Sequence, residues 1–470
     1  MKMLSILLLA ILSCWVTMTN SLANRSTDDT DWPTFRGNGG TGVADGFDLP
    51  TEWNADESSG ELRGVLWQTP VPGLGHSSPI IVGDRIYLAT AISTDGKSPL
   101  KVDAGGGPKA ADDTGEQSWV VICYDKKSGN EIWRRTAKKG KPRATRHAKA
   151  THANTSLTVE GENLVAFFGS EGLYCFDLDG NLKWSQDLGV INISKYGIGW
   201  GYASSPAVAN NRIVVVCDDP SNPFVAALSL ADGKEIWRVA RKDICERSWG
   251  TPLIHETKDR TQVVVNGWPW ITSYDLDSGD ELWRLKGGGD NPVPTPFVAN
   301  DWIYITNAHG GPAPIFVVRP DASGDITPES DDQTTSEKGA PNPAIVWSRP
   351  KGGSYLSTPV VYQDHLYLGN TNAAVRCFHA KTGEKVFQER LDAKAGIIAS
   401  LVAADDKIFC ASENGTVYVL AAGAKFKILA RNKMGAPCLA TPAISNGVIF
   451  IRTTESLVAI SNDVNRTSEK

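Results

Sequence analysis

Residues Tyr124–Trp133 read YDKKSGNEIW, and the recurrence of this pattern decides the fold. An apolar strand leads into a polar turn that contains glycine, and the strand after the turn carries a tryptophan. The glycine supplies the positive φ that a short hairpin turn requires. The pattern ends again at Trp184, Trp237 and Trp283, and in weaker form at Phe387. Such a recurrence predicts a repeat architecture built from hairpins.

The repeating unit can be followed on both sides of this hairpin. Each unit opens with Ser or Thr, usually before Pro, and continues into a strongly apolar second strand such as Ile86-Tyr87-Leu88. β-Branched and aromatic residues of this kind are typical of strands. The eight openings are Ser78-Pro79, Thr155-Ser156, Ser205-Pro206, Thr251-Pro252, Thr295-Pro296, Thr358-Pro359, Ser400-Leu401 and Thr441-Pro442. We therefore predict an all-β fold, an eight-bladed β-propeller of four-stranded antiparallel blades.

The two ends of the repeat region complement each other. Val65–Thr69 has the character of a fourth strand, yet it precedes the first unit. The last unit stops after its third strand, at Leu457–Ile460. We expect residues 61–72 to complete the last blade, which closes the ring and removes the free edges that an open sheet exposes.

The recurring tryptophans suit the gaps between blades. In a repeat protein each unit contacts only its neighbours, so a large flat ring on the outer strand can fill the space to the next unit. Replacing a buried aromatic side chain by alanine costs about 3–5 kcal/mol. We interpret these rings as blade-docking residues and not as ligand stackers: Trp67, Trp133, Trp184, Trp237, Trp283, Trp347 and Phe387.

The N-terminus has the features of an export signal. Met1-Lys2 precedes a short apolar run and a small-residue site ending at Ala23, which is typical of a secretory signal peptide. The run is shorter than the roughly 20 residues of a membrane span, so we expect no transmembrane segment. Cys14 offers an alternative as a lipid-anchored N-terminus. The expected organisation is a signal peptide (1–23), an N-terminal extension (24–60), the propeller (61–462) and a tail (463–470).

The net charge and the cysteine pattern argue against a nucleic-acid-binding protein and against a disulfide-stabilised fold. The formal net charge is −6 and the only basic stretch is Lys138–Lys149, which we interpret as a solvated loop. Nucleic-acid binding is not expected from this charge.

Beyond Cys14 there are seven cysteines without a CxxC or adjacent pair, which indicates buried free thiols rather than disulfides. Two polar insertions, Ser93–Ser118 and Asp321–Pro343, are expected to be surface loops.

These units resemble the PQQ-type repeat of quinoprotein dehydrogenases and of the non-enzymatic propeller lipoprotein in the outer-membrane β-barrel assembly machinery. Asp31–Asn38 reads DWPTFRGN and is similar to the start of many exported PQQ-like proteins of planctomycete-type bacteria. The resemblance extends from Trp32 to about Ile460. It implies the propeller fold, whereas function has to be argued from a site.

The resemblance to dehydrogenases implies one catalytic alternative, with PQQ and Ca²⁺ on the propeller axis. Those enzymes often add adjacent cysteines, a carboxylate-and-Asn metal site and a catalytic Asp. This sequence has no Cys-Cys pair and no CxxCH haem motif. Asp218-Asp219 and Asp290-Asn291 could supply oxygen ligands but form no calcium-loop pattern. His147 and His152 could hold a metal, although a solvated loop is the expected interpretation.

The loops before the innermost strands should surround one mouth of the axial channel. Aromatic and polar side chains that converge on a concavity suit a ligand or a partner peptide. Alternatively, the same rings pack the loops against the blade ends. The candidate mouth residues are His76, His152, Trp200, Tyr202, Trp249, Trp268, Trp270, Asn291 and Tyr355.

The sequence favours a non-catalytic scaffold over an enzyme. We expect an exported monomer, periplasmic or extracellular, that binds a protein or an extracellular ligand in the cell envelope without a cofactor. A PQQ- and Ca²⁺-dependent periplasmic dehydrogenase and a carbohydrate-binding propeller are the two alternatives.

Overall fold

Strands account for nearly all regular structure in this protein. The computed structural model describes residues 30–102, 109–113, 115–195, 198–328, 342–392 and 395–463. In those ranges the helices are three 3-10 turns, Asn38–Gly40, Glu57–Ser59 and Gly169–Glu171. None of the helices in this part of the chain has the length and apolarity needed to cross a membrane. The predicted signal peptide, Cys14 and residues 464–470 of the predicted tail lie outside the described residues.

The first half of the chain forms one early strand, β1 (Val65–Pro70), and four blades. Blade 1 contains β2 (Ile80–Val82), β3 (Arg85–Ser93), β4 (Gln117–Asp125) and β5 (Glu131–Gly140). Blade 2 contains β6 (Thr158–Glu160), β7 (Asn163–Phe167), β8 (Leu173–Phe176) and β9 (Leu182–Gln186). The hairpin β10 (Ser194–Lys195) and β11 (Ile198–Gly199) follows, and blade 3 contains β12 (Ala207–Ala209), β13 (Arg212–Cys217), β14 (Phe224–Ser229) and β15 (Glu235–Ala240). After β16 (Cys245–Arg247), blade 4 contains β17 (Leu253–Glu256), β18 (Thr261–Val265), β19 (Trp268–Asp275) and β20 (Glu281–Lys286).

The second half completes the ring with four more blades. Blade 5 contains β21 (Phe297–Ala299), β22 (Trp302–Thr306), β23 (Ile315–Val318) and β25 (Ile345–Arg349), with the short β24 (Gly324–Asp325) between the last two. Blade 6 contains β26 (Val360–Tyr362), β27 (His365–Gly369), β28 (Ala374–His379) and β29 (Lys385–Arg390). Blade 7 contains β30 (Val402–Ala404), β31 (Lys407–Ala411), β32 (Thr416–Ala421) and β33 (Ile428–Lys433). Blade 8 contains β34 (Ala443–Ser445), β35 (Val448–Arg452) and β36 (Ser456–Ile460).

The predicted closure of the ring is confirmed. β1 pairs antiparallel with β36, with Trp67 opposite Ala459 and Pro70 opposite Ser456. The N-terminal strand is thus the outer strand of blade 8, and the predicted eight-bladed propeller is the observed fold.

The burial of each strand follows from its place in the blade. Second strands such as β13 are buried on both faces between neighbouring blades, which explains their continuous apolar sequence. Outer strands such as β15 alternate, and only Trp237 is fully buried there. The core accordingly lies between blades: one cluster joins Tyr87 and Trp133 of blade 1 to Phe176 of blade 2.

The predicted blade-docking rings make a repeated contact with the next blade. An indole N–H donates to a backbone carbonyl of the following blade: Trp67 to Lys126 (3.1 Å), Trp133 to Leu178 (3.1 Å), Trp184 to Leu230 (3.0 Å), Trp237 to Leu276 (2.8 Å) and Trp347 to Ala380 (2.9 Å). The turn glycine of that blade lies under the ring. At Gly129, where φ is 71°, an added Cβ would stand 2.5 Å from Trp67 Cε3. Glycine is therefore required there twice, for its conformation and for its small size.

Two rings depart from this contact. Trp283 donates instead to Gln262 Oε1 of its own blade (3.0 Å), and β24 adds to its strand in parallel with Gly324 opposite Trp283. Phe387 packs on Phe426 of blade 7, with ring centroids 5.6 Å apart.

Two expectations about polar segments were wrong. The insertion Asp321–Pro343 is not only a surface loop, because it contributes β24 to blade 4. The stretch Lys138–Lys149 is a solvated loop only in part: its first residues belong to β5, and the Arg146 side chain is 1% exposed and pairs with Asp113 of the first insertion at 2.5 Å. Burial of a guanidinium is tolerated here because a carboxylate neutralises it. The interpretation of the cysteines is confirmed, since all seven in the described residues are buried free thiols.

Candidate functional site: the axial funnel

A ring of hydroxyl groups surrounds the propeller axis. The Ser or Thr that opens one blade accepts a hydrogen bond from the backbone N–H of the equivalent residue in the preceding blade. The donor and acceptor pairs are Ser78–Ser156 (3.0 Å), Ser156–Ser205 (2.9 Å), Ser205–Thr251 (3.1 Å), Thr295–Thr358 (3.0 Å), Thr358–Ser400 (3.1 Å), Ser400–Thr441 (3.0 Å) and Thr441–Ser78 (3.2 Å). This is the physical reason for the repeated Ser/Thr, because the hydroxyl satisfies a buried N–H that has no strand partner.

The N-terminal segment closes the axis at one end. Trp32 forms a bridge with Ile81 of blade 1, and the N–H of Val159 in blade 2 donates to Pro33 O at 2.8 Å. Phe35 follows Pro33 in this segment, and its side chain lines the axial cavity. The cavity therefore has a floor, and it opens at the opposite mouth.

Arg36 holds this floor in place. Its buried guanidinium donates to five backbone carbonyls: Gly40 (3.0 Å), Thr41 (2.8 Å), Thr358 (3.1 Å), Pro359 (2.7 Å) and Leu401 (3.2 Å). Three of these carbonyls belong to blades 6 and 7, so the segment is fixed to these blades as well as to blades 1 and 2. Burial lowers the pKa of Arg36 to about 9, which leaves it charged at neutral pH.

The cavity above this floor has a volume of about 580 Å³ and is lined by the opening Ser or Thr of all eight blades. A volume of this order accommodates a small ligand or a few side chains. Polar and aromatic groups complete the lining of this cavity.

One ion pair stands on the cavity wall. Lys149 Nζ lies 3.1 Å from Glu413 Oε2, and the Glu413 side chain is only 2% exposed. Glu413 Oε1 also accepts from the Gly396 N–H at 3.2 Å. His76 Nε2 lies 2.9 Å from Lys149 O, and burial lowers the pKa of His76 to about 4, so its ring is neutral at pH 7.

Aromatic rings form the rest of the upper wall. Trp200 stacks on His147 with ring centroids 5.1 Å apart and planes 4° from parallel. Tyr355 packs on His309 at 4.8 Å, and His309 Nδ1 lies 3.1 Å from Asn291 Nδ2. These partners fix the orientation of the rings before any ligand arrives, which limits the ordering cost of binding.

The candidate mouth residues fall into three groups. Five line the axial cavity: His76, Trp200, Trp249, Asn291 and Tyr355. His152 and Tyr202 lie instead around a separate void of about 30 Å³ behind the wall. There His152 Nε2 is 3.3 Å from Asp113 Oδ2, and the Tyr202 hydroxyl donates to Val216 O at 2.8 Å.

Trp268 and Trp270 lie outside the cavity lining. Their rings carry cations, with Arg247 Cζ 5.8 Å from the Trp268 centroid and Arg284 Cζ 5.4 Å from the Trp270 centroid. Such contacts are typical cation–π pairs at a protein surface.

Among the lining residues that sequence reasoning missed are Phe35, Lys149, Glu413 and His309. Phe35 lies in the motif DWPTFRGN. This motif precedes the repeat and has no strand character, so the sequence did indicate that it has a role outside the blades. Glu413 and His309 stand in irregular connections, where no repeat position marks them.

The residues present do not fit a PQQ–Ca²⁺ centre. The one carboxylate of the lining, Glu413, is held by Lys149 and by a backbone N–H. Asp218 is bound by Arg241 at 2.8 Å, and Asp290 faces His309 and Arg247. Within the described ranges no three His, Cys, Asp or Glu side chains converge as metal ligands, and this includes His147 and His152.

Eight blades, five of them docked on the next blade by a tryptophan, surround an axial funnel and define a propeller of the PQQ-repeat class. The model of the family described as "Outer membrane protein assembly factor BamB" matches residues 116–389, and the chain belongs to this family. BamB of Yersinia pestis is 25% identical over 273 residues, which cover 56% of this chain and 60% of the relative. The match thus spans less than two thirds of the relative's length.

Solved structures agree on the fold. BamB from Moraxella catarrhalis has a TM-score of 0.52 at 16% identity, covering 79% of this chain and 99% of the other. A quinohemoprotein alcohol dehydrogenase from Pseudomonas putida has a TM-score of 0.61 at 11% identity, covering 92% of this chain and 80% of the enzyme. At these identities the likeness establishes the architecture alone.

Proposed function

We propose that this chain is a non-catalytic propeller of the cell envelope that binds a segment of another protein in its axial funnel. The observation that carries the proposal is the composition of the funnel wall: preset aromatic rings surround a cavity, and Glu413, the carboxylate of its described lining, is already paired. The description of the BamB family names outer-membrane protein assembly, and membership in this family supports a role in that process.

Export is part of the same proposal. An envelope location requires a leader, and residues 1–23 have the composition of one. The proposed form of the protein is a monomer cleaved after Ala23, with a lipid anchor at Cys14 as the alternative. Mass spectrometry of the N-terminus of the protein from its native envelope separates cleavage after Ala23 from acylation at Cys14.

The dehydrogenase alternative is less well supported. The structural likeness to quinoprotein enzymes concerns the fold, and the groups that would hold a metal are occupied by protein partners. Catalysis would require a carboxylate freed from its cation, and an unpaired buried charge is costly.

Binding to a defined unfolded protein tests the proposal. The probe is an urea-unfolded outer-membrane β-barrel protein, diluted onto the immobilised propeller and followed by interferometry. Trp200→Ala removes a ring from the funnel wall, whereas Trp270→Ala removes a ring of the same type outside it. We expect Trp200→Ala to weaken binding about tenfold or more, as for an interface aromatic anchor, and Trp270→Ala to leave it unchanged. Equal effects of both variants, or no binding by the unaltered protein, would overturn the proposal.

A further inference from the structure

Besides the Arg146–Asp113 and Arg247–Asp290 pairs, the charged groups on or next to the lining of the axial cavity are three cations and one carboxylate. Lys149 and Glu413 pair on the wall itself. Arg36 lies beneath the floor, and Arg452 lies behind the wall between blades 8 and 1. The charges around the cavity therefore do not cancel.

Arg452 is a buried cation with only backbone partners. Its Nη1 donates to Ala89 O at 2.7 Å and to Ser77 O at 3.3 Å, and its side chain is almost completely buried. Ser77 stands between His76 and Ser78, both of which line the cavity. Burial lowers the pKa of Arg452 to about 10, so the group stays cationic at neutral pH.

Arg36 repeats this arrangement at the floor. It donates to the carbonyl of the lining residue Thr358 and to those of Pro359 and Leu401. In the ion pairs of the described residues, neither Arg36 nor Arg452 has a carboxylate partner. Carbonyl oxygens satisfy the N–H donors but leave the net charge in place, and a charge in a medium of low dielectric acts over a longer distance than in water.

The hydroxyl ring adds hydrogen-bond donors on the axis. Each bonded hydroxyl uses its oxygen to accept a backbone N–H, so its own proton is left to donate elsewhere. In the hydrogen bonds of the described residues, no protein acceptor takes the protons of Ser78, Ser156 or Ser400. Donors that converge near buried cations favour an oxygen anion.

Resting on the proposed function, we propose that the protein segment received by the funnel is acidic, with a side-chain or terminal carboxylate directed at the hydroxyl ring. Trp200 and Tyr355 would then contact the apolar residues that flank this carboxylate. Glu413 limits the affinity, because it is the one anion that faces the incoming group.

A charge-matched peptide pair tests this inference. The probes are a labelled peptide with Phe, Asp and Glu, and the same peptide with Asn and Gln in place of the acids, both measured by fluorescence anisotropy. We expect the acidic peptide to bind at least tenfold more tightly, because hydrogen bonds to a charged carboxylate are stronger than those to a neutral amide. Raising the salt concentration should reduce the difference in affinity between the acidic and the neutral peptide.

Two variants of the wall should move the affinity in opposite directions. Glu413→Gln retains a group that accepts from Gly396 N–H but removes the anion, so it should tighten binding of the acidic peptide severalfold. Lys149→Met should weaken it about tenfold. Lys234→Met removes an equal charge at an exposed position paired with Asp232 and should change nothing.

The outcomes separate this inference from the proposed function. If the neutral peptide binds as tightly as the acidic one and Trp200→Ala weakens both, the funnel binds protein but the inference is wrong. Weaker binding by Glu413→Gln would also overturn it. If only an oligosaccharide of uronic acids binds, both the inference and the proposed function fail.

Discussion

The backbone N–H of Thr441 donates a hydrogen bond to Ser78 Oγ across 3.2 Å, and this contact joins the last blade to the first at the axis. The same two blades are joined at the rim by the Trp67 indole N–H, which donates to Lys126 O at 3.1 Å. The ring is therefore closed at its inner and outer edges by the same two kinds of contact that join blade 1 to 2, blade 2 to 3, blade 3 to 4 and blade 5 to 6.

Ser78→Ala should lower the free energy of unfolding by about 1–3 kcal/mol, because it leaves the buried N–H of Thr441 without an acceptor. Urea unfolding followed by tryptophan fluorescence measures this change. Ser278→Ala, in an exposed turn of blade 4, is the matched control and should stay within about 0.5 kcal/mol of the unaltered protein. Equal stability of the two variants would show that the hydroxyl ring does not stabilise the fold.

Gly129→Ala should destabilise the protein more than Gly83→Ala. Both glycines have positive φ, 71° and 58°, so both variants incur a backbone cost of about 1–2 kcal/mol. Only at Gly129 would the new Cβ meet an obstacle, the Trp67 ring, whereas nothing lies within 4 Å at Gly83. Overpacking should add about 1–3 kcal/mol, measured by urea unfolding. Identical losses in the two variants would contradict the docking role of Trp67.

Arg36→Met should release the floor of the funnel, because several buried carbonyls lose their donors together. Hydrogen exchange should show faster exchange in residues 32–43 than in the unaltered protein. Arg36→Lys should restore only part of the protection, since an ammonium cannot reproduce the planar set of five donors. Unchanged exchange in the methionine variant would refute the anchoring role.

The neutral ring of His76 predicts a pH dependence of stability. Burial lowers its pKa from 6.5 to about 4, so between these values the unfolded chain binds a proton that the folded chain does not. Stability should therefore fall as the pH drops from about 6.5 to about 4, and His76→Asn should make the fall shallower. Urea unfolding at a series of pH values measures both slopes. Parallel curves would mean that folding does not lower the pKa of His76.

Purified protein incubated with PQQ and Ca²⁺, or with PQQ and a lanthanide, should not oxidise alcohols or sugars in a dye-linked assay. The expectation follows from Glu413, which Lys149 and the Gly396 N–H already hold. A known PQQ dehydrogenase serves as the positive control. Turnover above background would establish the enzymatic alternative.

The fold could be predicted because its signals are local and repeat. One hairpin pattern, one Ser/Thr opening, a lone strand before the first unit and a missing strand in the last unit were enough to predict eight blades and their closure. The family resemblance rested on the same residues, and the family match agrees with it.

The funnel could be predicted only in part because its key contacts join distant segments. Arg36 meets carbonyls more than 300 residues away, and a carbonyl leaves no trace in the side-chain sequence. Lys149 lies 264 residues from Glu413, so neither residue signals the other. Arg146 looked solvated for the same reason, because its partner Asp113 stands in an insertion without a repeat position.

Hydrogen exchange with and without an unfolded outer-membrane β-barrel protein tests the central claim most directly, because it locates the bound segment on the propeller. We predict new protection at residues 198–203 and 353–358, which carry Trp200 and Tyr355, and no change along the outer strand Glu131–Gly140. Protection confined to outer strands, or no protection at all, would contradict binding in the funnel.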